Sequence, residues 1–107
     1  MTGESNLVSN AFKLFMSDAP EFAQAWGAVV QALAQASALD NKTRELAYLA
    51  VLAALNRTSG IPFHVASLKE SGATREEVIS AILVGLPAAG HVVTQSLPAA
   101  IEAYDAA

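Results

Sequence analysis

The sequence predicts an all-α protein of five to six helices, antiparallel where the loops are short. Three observations carry that reading. No segment sustains the period-2 alternation of a half-buried strand. Apolar residues instead recur at helical spacing, as in Phe22, Trp26, Val29, Val30 and Leu33, which form one stripe. Helix-start and helix-stop residues bracket such stripes along the chain, and alanine, the best helix former, is abundant between them.

The elements follow in order. Residues 1–6 are polar and read as a frayed end. Leu7, Ala11, Leu14 and Phe15 place a short helix over Leu7 to Met16. Asp18 is the expected cap of the next helix, with Pro20 in its first turn, where a missing N–H costs nothing. That helix ends near Ser37, and its stripe, including Trp26, is expected in the core. Asp40 can cap a helix over Lys42 to Asn56 that becomes apolar on every side from Ala47 to Leu55. A helix apolar all round needs neighbours all round. The turn formers of Asn56–Gly60 make a connection. Pro62 opens a helix that runs to Ser71, and Gly72 terminates it. Thr74 and Glu77 form a capping box ahead of Val78, Ile79, Ile82, Leu83 and Leu86. Val93, Leu97, Ile101 and Tyr104 define a last helix, which Pro98 must kink or restart.

Composition narrows the functional classes. The 107 residues suit one domain, and no repeat, linker or boundary divides them. Six Lys and Arg form no stripe and the formal net charge is −4, which argues against nucleic-acid binding. The longest apolar run, Ala47–Leu55, is far short of the roughly 20 residues of a membrane span. No signal peptide is evident, so a soluble, cytoplasmic protein with no membrane partner is expected. No cysteine means no disulfide and no redox dithiol. Two histidines are too few for a metal site without carboxylates or a second subunit, and no metal is expected. Yet 53% of the residues are hydrophobic, and the mean hydropathy is +0.38. So apolar a surface in so small a chain points to a homo-oligomer.

The stretch from Leu39 to Leu86 carries a resemblance. It holds Arg44-Glu45-Leu46, the alanine-rich Ala47–Leu55, His64 near a helix start, and Gly72-Ala73-Thr74-Arg75-Glu76-Glu77. This ordered set resembles the carboxymuconolactone decarboxylase / alkyl hydroperoxidase D-like superfamily, with 39–86 as the core of one domain over 1–107. The resemblance implies that all-helical fold and a trimer, or a hexamer built as a trimer of dimers. The hydroperoxidase branch resembles Glu-x11-Cys-x2-Cys-x3-His. Counted from Glu45, Arg57 and Gly60 occupy the cysteine positions and His64 the histidine position. Neither residue can supply a thiolate, so thiol peroxidase chemistry is excluded. The decarboxylase branch resembles this chain through Arg44, Ala53-Ala54-Leu55-Asn56-Arg57 and His64. It differs in having serine where Glu45 stands, an acidic pair where Ser59-Gly60 stands, and a Tyr-x-Gly-x-Pro element of which only Gly90 is matched here.

That resemblance implies a cofactor-free decarboxylase acting on a small carboxylated lactone or similar acid. Such a reaction needs a cation for the carboxylate and a donor for the quenching proton. Arg44 and Arg57 are the candidate substrate-binding cations. His64 is the candidate catalytic donor, with Glu45 to orient it or to act as the acid itself. Each also has a plain structural reading. His64 can bond a neighbouring carbonyl, Glu45 suits a helix first turn, and Arg57 suits a helix C-terminus. His91 reads as a core or interface histidine. A simple hairpin leaves Glu45 and His64 offset by roughly 10 Å along the helix axes. Their contact requires steeply crossed helices, an early helix end, or a pocket completed by another subunit. The other hypothesis is a non-catalytic oligomer that keeps the fold and binds a small molecule or partner. In such a relic, Phe63 or Tyr48 fills the pocket.

Overall fold

The computed structural model describes residues 8–107, and every described element is helical. Helix α1 spans Asn10–Asp18, α2 Pro20–Ala36, α3 Asn41–Ala54, α4 Ile61–Glu70 and α5 Arg75–Leu83. A single turn, α6, covers Leu86–Ala89, and α7 covers Leu97–Ala106. Two 3-10 segments, Thr58–Gly60 and Gly90–Ser96, make the connections before α4 and α7.

Local chemistry sets most of the boundaries. The Ser9 hydroxyl accepts from Phe12 N and starts α1. Leu7, the expected first residue of that helix, lies outside the described residues. Asp18 does not cap α2. It ends α1, bonded by the Ser17 hydroxyl at 2.9 Å, and Ala19 takes the cap position without a side-chain bond. Pro20 still opens α2, because its fixed φ suits a first turn. Thr74 Oγ1 accepts from Glu77 N at 3.0 Å, and Glu77 Oε1 accepts from Thr74 N at 2.9 Å, completing the capping box. Gly72 ends α4 with φ +91°, a conformation strained for a residue with a Cβ. Pro98 restarts the chain as α7 after the 3-10 segment. The Thr74→Ala variant is expected to lose about 1 kcal/mol of stability. A lower urea midpoint at unchanged slope, restored by Thr74→Ser, is the check.

The core is built by α3, α4, α5, α7 and the second 3-10 segment. Leu49, Leu52, Ile61, Val65, Leu68, Val78, Ile82 and Val93 are buried together, and Ala100 lets α7 approach closely. Residues 75–106 include a window apolar enough, by length and composition, to cross a membrane. The segment is not one rod. Gly90 turns it at φ +80°, and Arg75 Nε meets Asp105 Oδ1 at 3.0 Å, so its two ends touch. A straight helix of that length would hold them about 45 Å apart. Tyr104 fastens the returning helix by donating to Ala73 O at 2.8 Å.

The apolar stripe of α2 is not in this core. Only Ala23 of that helix is buried, and α2 packs mainly on α1. Trp26 is 50% exposed and Phe22 73%, which corrects the expected core position of Trp26. Helix α3 is likewise covered on one side only: Leu49, Leu52 and Ala53 are buried, whereas Tyr48, Val51 and Leu55 are exposed. His91 is exposed too, its carbonyl accepting from the Thr94 hydroxyl, and is not a core residue.

Candidate functional site

Asp40 occupies the N-cap position of α3 and sets the phase of the helix. Glu45 and Tyr48 then fall three residues apart, on one face. Pro62 does the same for α4, where His64 and Ser67 are again three apart. The connection brings the two pairs together. Helix α3 stops at Ala54, and Asn56 turns the backbone with φ +56°. Arg57 N donates back to Leu52 O at 2.8 Å, and Gly60 packs beside the Leu52 side chain. The chain has therefore returned to the level of Leu52 before α4 is under way. The residual offset between Glu45 and His64 is about 5 Å at 1.5 Å per residue, which side chains can span. An early helix end with a folded-back connection lets the two meet inside one subunit.

His64 Nδ1 lies 3.2 Å from Glu45 Oε1, and the Ser67 hydroxyl donates to Glu45 Oε2 at 3.1 Å. Both carboxylate oxygens are thus occupied. The group is half-buried, and the His64 hydrogen bond, helped by the Ser67 hydroxyl, holds the Glu45 carboxyl below the usual carboxylate range despite desolvation. Glu45 is therefore ionised near neutral pH, which suits an orienting partner and not a proton donor. With Nδ1 engaged, Nε2 is the nitrogen left for a ligand. The Tyr48 ring lies 4.9 Å and the Phe63 ring 5.5 Å from the imidazole, centroid to centroid. They wall His64 without burying it, for two clefts remain beside it.

One cleft, of about 390 Å³, reaches from His64 to Glu45, Arg44 and Leu33. The other, of about 370 Å³, runs from His64 past Ser59 to Phe12 and Val8. Trp26, Val30, Tyr48 and Phe63 line both. A shallower apolar groove of about 550 Å³, between α3 and α5, contains none of these site residues. Arg44 donates to Asn41 Oδ1 at 2.9 Å, a bond that steadies its guanidinium at the cleft edge. Arg57 is exposed ahead of the first 3-10 segment and lines neither cleft. Among the described residues no group of three or more His, Asp or Glu side chains is placed to hold a metal. Sequence reasoning missed Ser67, although its position one turn after His64 was a usable signal.

The depressed carboxyl has a consequence for stability. A carboxylate whose folded value lies below its unfolded value of about 4.5 stabilises the fold above that value. The contribution is lost as pH falls through the folded value. The melting-temperature gap between wild type and Glu45→Gln is therefore expected to narrow on acidification from about pH 6 to about pH 3. A gap independent of pH would refute the assignment.

Residues 20–102, from the first residue of α2 into α7, match the family model of the carboxymuconolactone decarboxylase family. The chain belongs to the carboxymuconolactone decarboxylase family. Its fold is similar to the apo crystal structure of a carboxymuconolactone decarboxylase family protein from Legionella pneumophila. The TM-score is 0.79 at 26% identity, over 96% of this chain and 95% of the other. No curated protein sequence matches this chain. Within this carboxymuconolactone decarboxylase family member the frame Glu45-x18-His64 is a hydrogen-bonded pair, and the positions between them that could bear cysteine hold Arg57 and Gly60.

Proposed function

We propose that this family member is a cofactor-independent decarboxylase acting on a small carboxylated lactone or a similar unsaturated acid. The observation that carries the reading is the Glu45–His64–Ser67 constellation at the mouth of two apolar clefts, with Arg44 at the rim of one. Arg44 pairs with the substrate carboxylate in the ground state. The C–C bond to that carboxylate breaks, carbon dioxide leaves, and the electron pair passes into the adjoining unsaturated carbonyl system as a dienolate. His64 Nε2–H then protonates carbon, and ionised Glu45 stabilises the imidazolium form and fixes its orientation. Tyr48 and Phe63 supply an apolar wall against which the dienolate loses solvent.

The test is absorbance loss of a carboxymuconolactone-type substrate at high enzyme concentration, with His64→Ala alongside. Turnover in the wild type that vanishes in the variant supports the decarboxylase. No turnover in either removes it.

A second reading rests on the openness of the clefts and the bare α2 stripe. In it the chain is a non-catalytic oligomer that binds a small carboxylate. Unchanged substrate recovered from a saturable complex is the result that selects it. In both readings the assembly is a homo-oligomer, a trimer or a hexamer, in keeping with the apolar faces of α2 and α3 left uncovered in one subunit.

A further inference from the structure

The two clefts beside His64 are unlike in charge. The first holds Arg44 and Glu45. Both Glu45 oxygens are turned to His64 and Ser67, which leaves Arg44 as the ionic group free to meet a ligand there. Only one of the Arg44 hydrogen bonds, to Asn41, is made among the described residues, so most of its five N–H donors remain. Among the described residues the second cleft is lined by no Asp, Glu, Lys or Arg. Beyond His64 its polar groups are the hydroxyls of Ser9, Ser59 and Tyr48, and its far wall is Phe12, whose ring meets Trp26 edge-on at 6.1 Å. The clefts share Trp26, Val30, Tyr48 and Phe63 along their junction at His64. Each is by itself within the size range of an ordinary ligand pocket. A compact lactone anchored on Arg44 and reacting at His64 occupies the first cleft and leaves the second unused.

We propose that the two clefts are one bent site for an elongated amphipathic monocarboxylic acid. The carboxylate sits on Arg44, the middle of the molecule passes His64, and an apolar limb runs beneath α1 against Phe12 and Trp26. The proposal deepens the reading above, since it rests on Arg44 as the carboxylate holder, but it does not depend on turnover. A cation at one end, and none at the other among the described residues, fixes the direction of the ligand. Removal of the limb from water supplies most of the affinity, while the ion pair at an open rim supplies orientation. A substrate of this class carries its unsaturation next to the carboxyl group and its hydrocarbon away from it.

Trp26 is the sole tryptophan and lines both clefts, so its emission reports their occupancy directly. The experiment is a fluorescence titration of the full chain with octanoate, acetate and 1-octanol, below the micelle concentration of octanoate. Octanoate is expected to saturate and to bind at least about a hundredfold more tightly than acetate, because it buries six more methylene groups. Arg44→Gln is expected to weaken octanoate about tenfold and to leave 1-octanol unchanged. Phe12→Ser, at the far end, is expected to weaken both. Octanoate that binds no better than acetate, or that is indifferent to Arg44→Gln, overturns the proposal. So does a Trp26 signal that follows protein dilution and ignores octanoate, which would mean that a second copy of the chain fills the second cleft. Lactone turnover without octanoate binding sinks this inference alone. Octanoate binding through Arg44 without lactone turnover sinks the decarboxylase reading alone.

Discussion

Replacing His64 by alanine is expected to lower kcat on a carboxymuconolactone-type substrate by about 10²- to 10⁴-fold, the usual contribution of a positioned general acid. The fold should survive, because His64 is partly exposed and the side chains that pack α4 into the core are Ile61, Val65 and Leu68. KM should change little, since the carboxylate is held by Arg44 and not by the imidazole. Glu45→Gln separates charge from geometry. Glutamine can still accept from Nδ1–H, yet it no longer stabilises an imidazolium. The expected result is a smaller loss in kcat than in His64→Ala. Ser67→Ala removes one of the two bonds on Glu45 and should lower kcat by less still. A merely structural role for Glu45 and Ser67 would lower stability without lowering the kcat of the folded protein. Wild-type kcat in His64→Ala would show that His64 is not the donor.

The legible and illegible parts of this site differ in range. Thr74 with Glu77, and Pro62, act on backbone within one turn of themselves, so the sequence alone shows where α5 and α4 begin, whereas Pro98 leaves a kink or a restart open and the structure puts Val93 in the 3-10 segment ahead of α7. Asp18 failed as a cap by a single position, since Ala19 holds the junction between α1 and α2 and nothing in its side chain marks it. The stripe of α2 shows which face is apolar, but periodicity is silent on what covers that face. Trp26 was therefore placed in a core from which the structure excludes it. Glu45 and His64 were legible as candidates and illegible as a pair. Their meeting depends on Arg57 N reaching back to Leu52 O and on Asn56 at positive φ, and neither bond nor dihedral is encoded in a spacing rule. Arg57 shows the same limit from the other side: it lies in the right frame, yet the returning connection leaves it exposed and away from both clefts.

Two aspartates on the bare face of α2 are expected to break the homo-oligomer proposed above. Phe22 and Val29 are 73% and 55% exposed in the single subunit, lie seven residues apart on one stripe, and line neither cleft. Fully burying each such side chain is worth about 1.5–3 kcal/mol, and Val51 on α3 and Leu55 just after it are bare as well. A monomer with that surface in water forgoes most of this energy, whereas a symmetric partner recovers it at every contact. Phe22→Asp with Val29→Asp reverses the balance, because each carboxylate would have to be desolvated without a partner. Even a few kcal/mol per interface raises the dissociation constant more than a hundredfold, at about 1.4 kcal/mol for each factor of ten. Light scattering at micromolar concentration should give three or six times the 11.1 kDa subunit mass for the wild type and a single subunit for the double variant, with helical content retained. Helicity should persist because the buried core of α3, α4, α5 and α7 receives no side chain from that face. A monomeric wild type would refute the assembly and leave the stripe as surface.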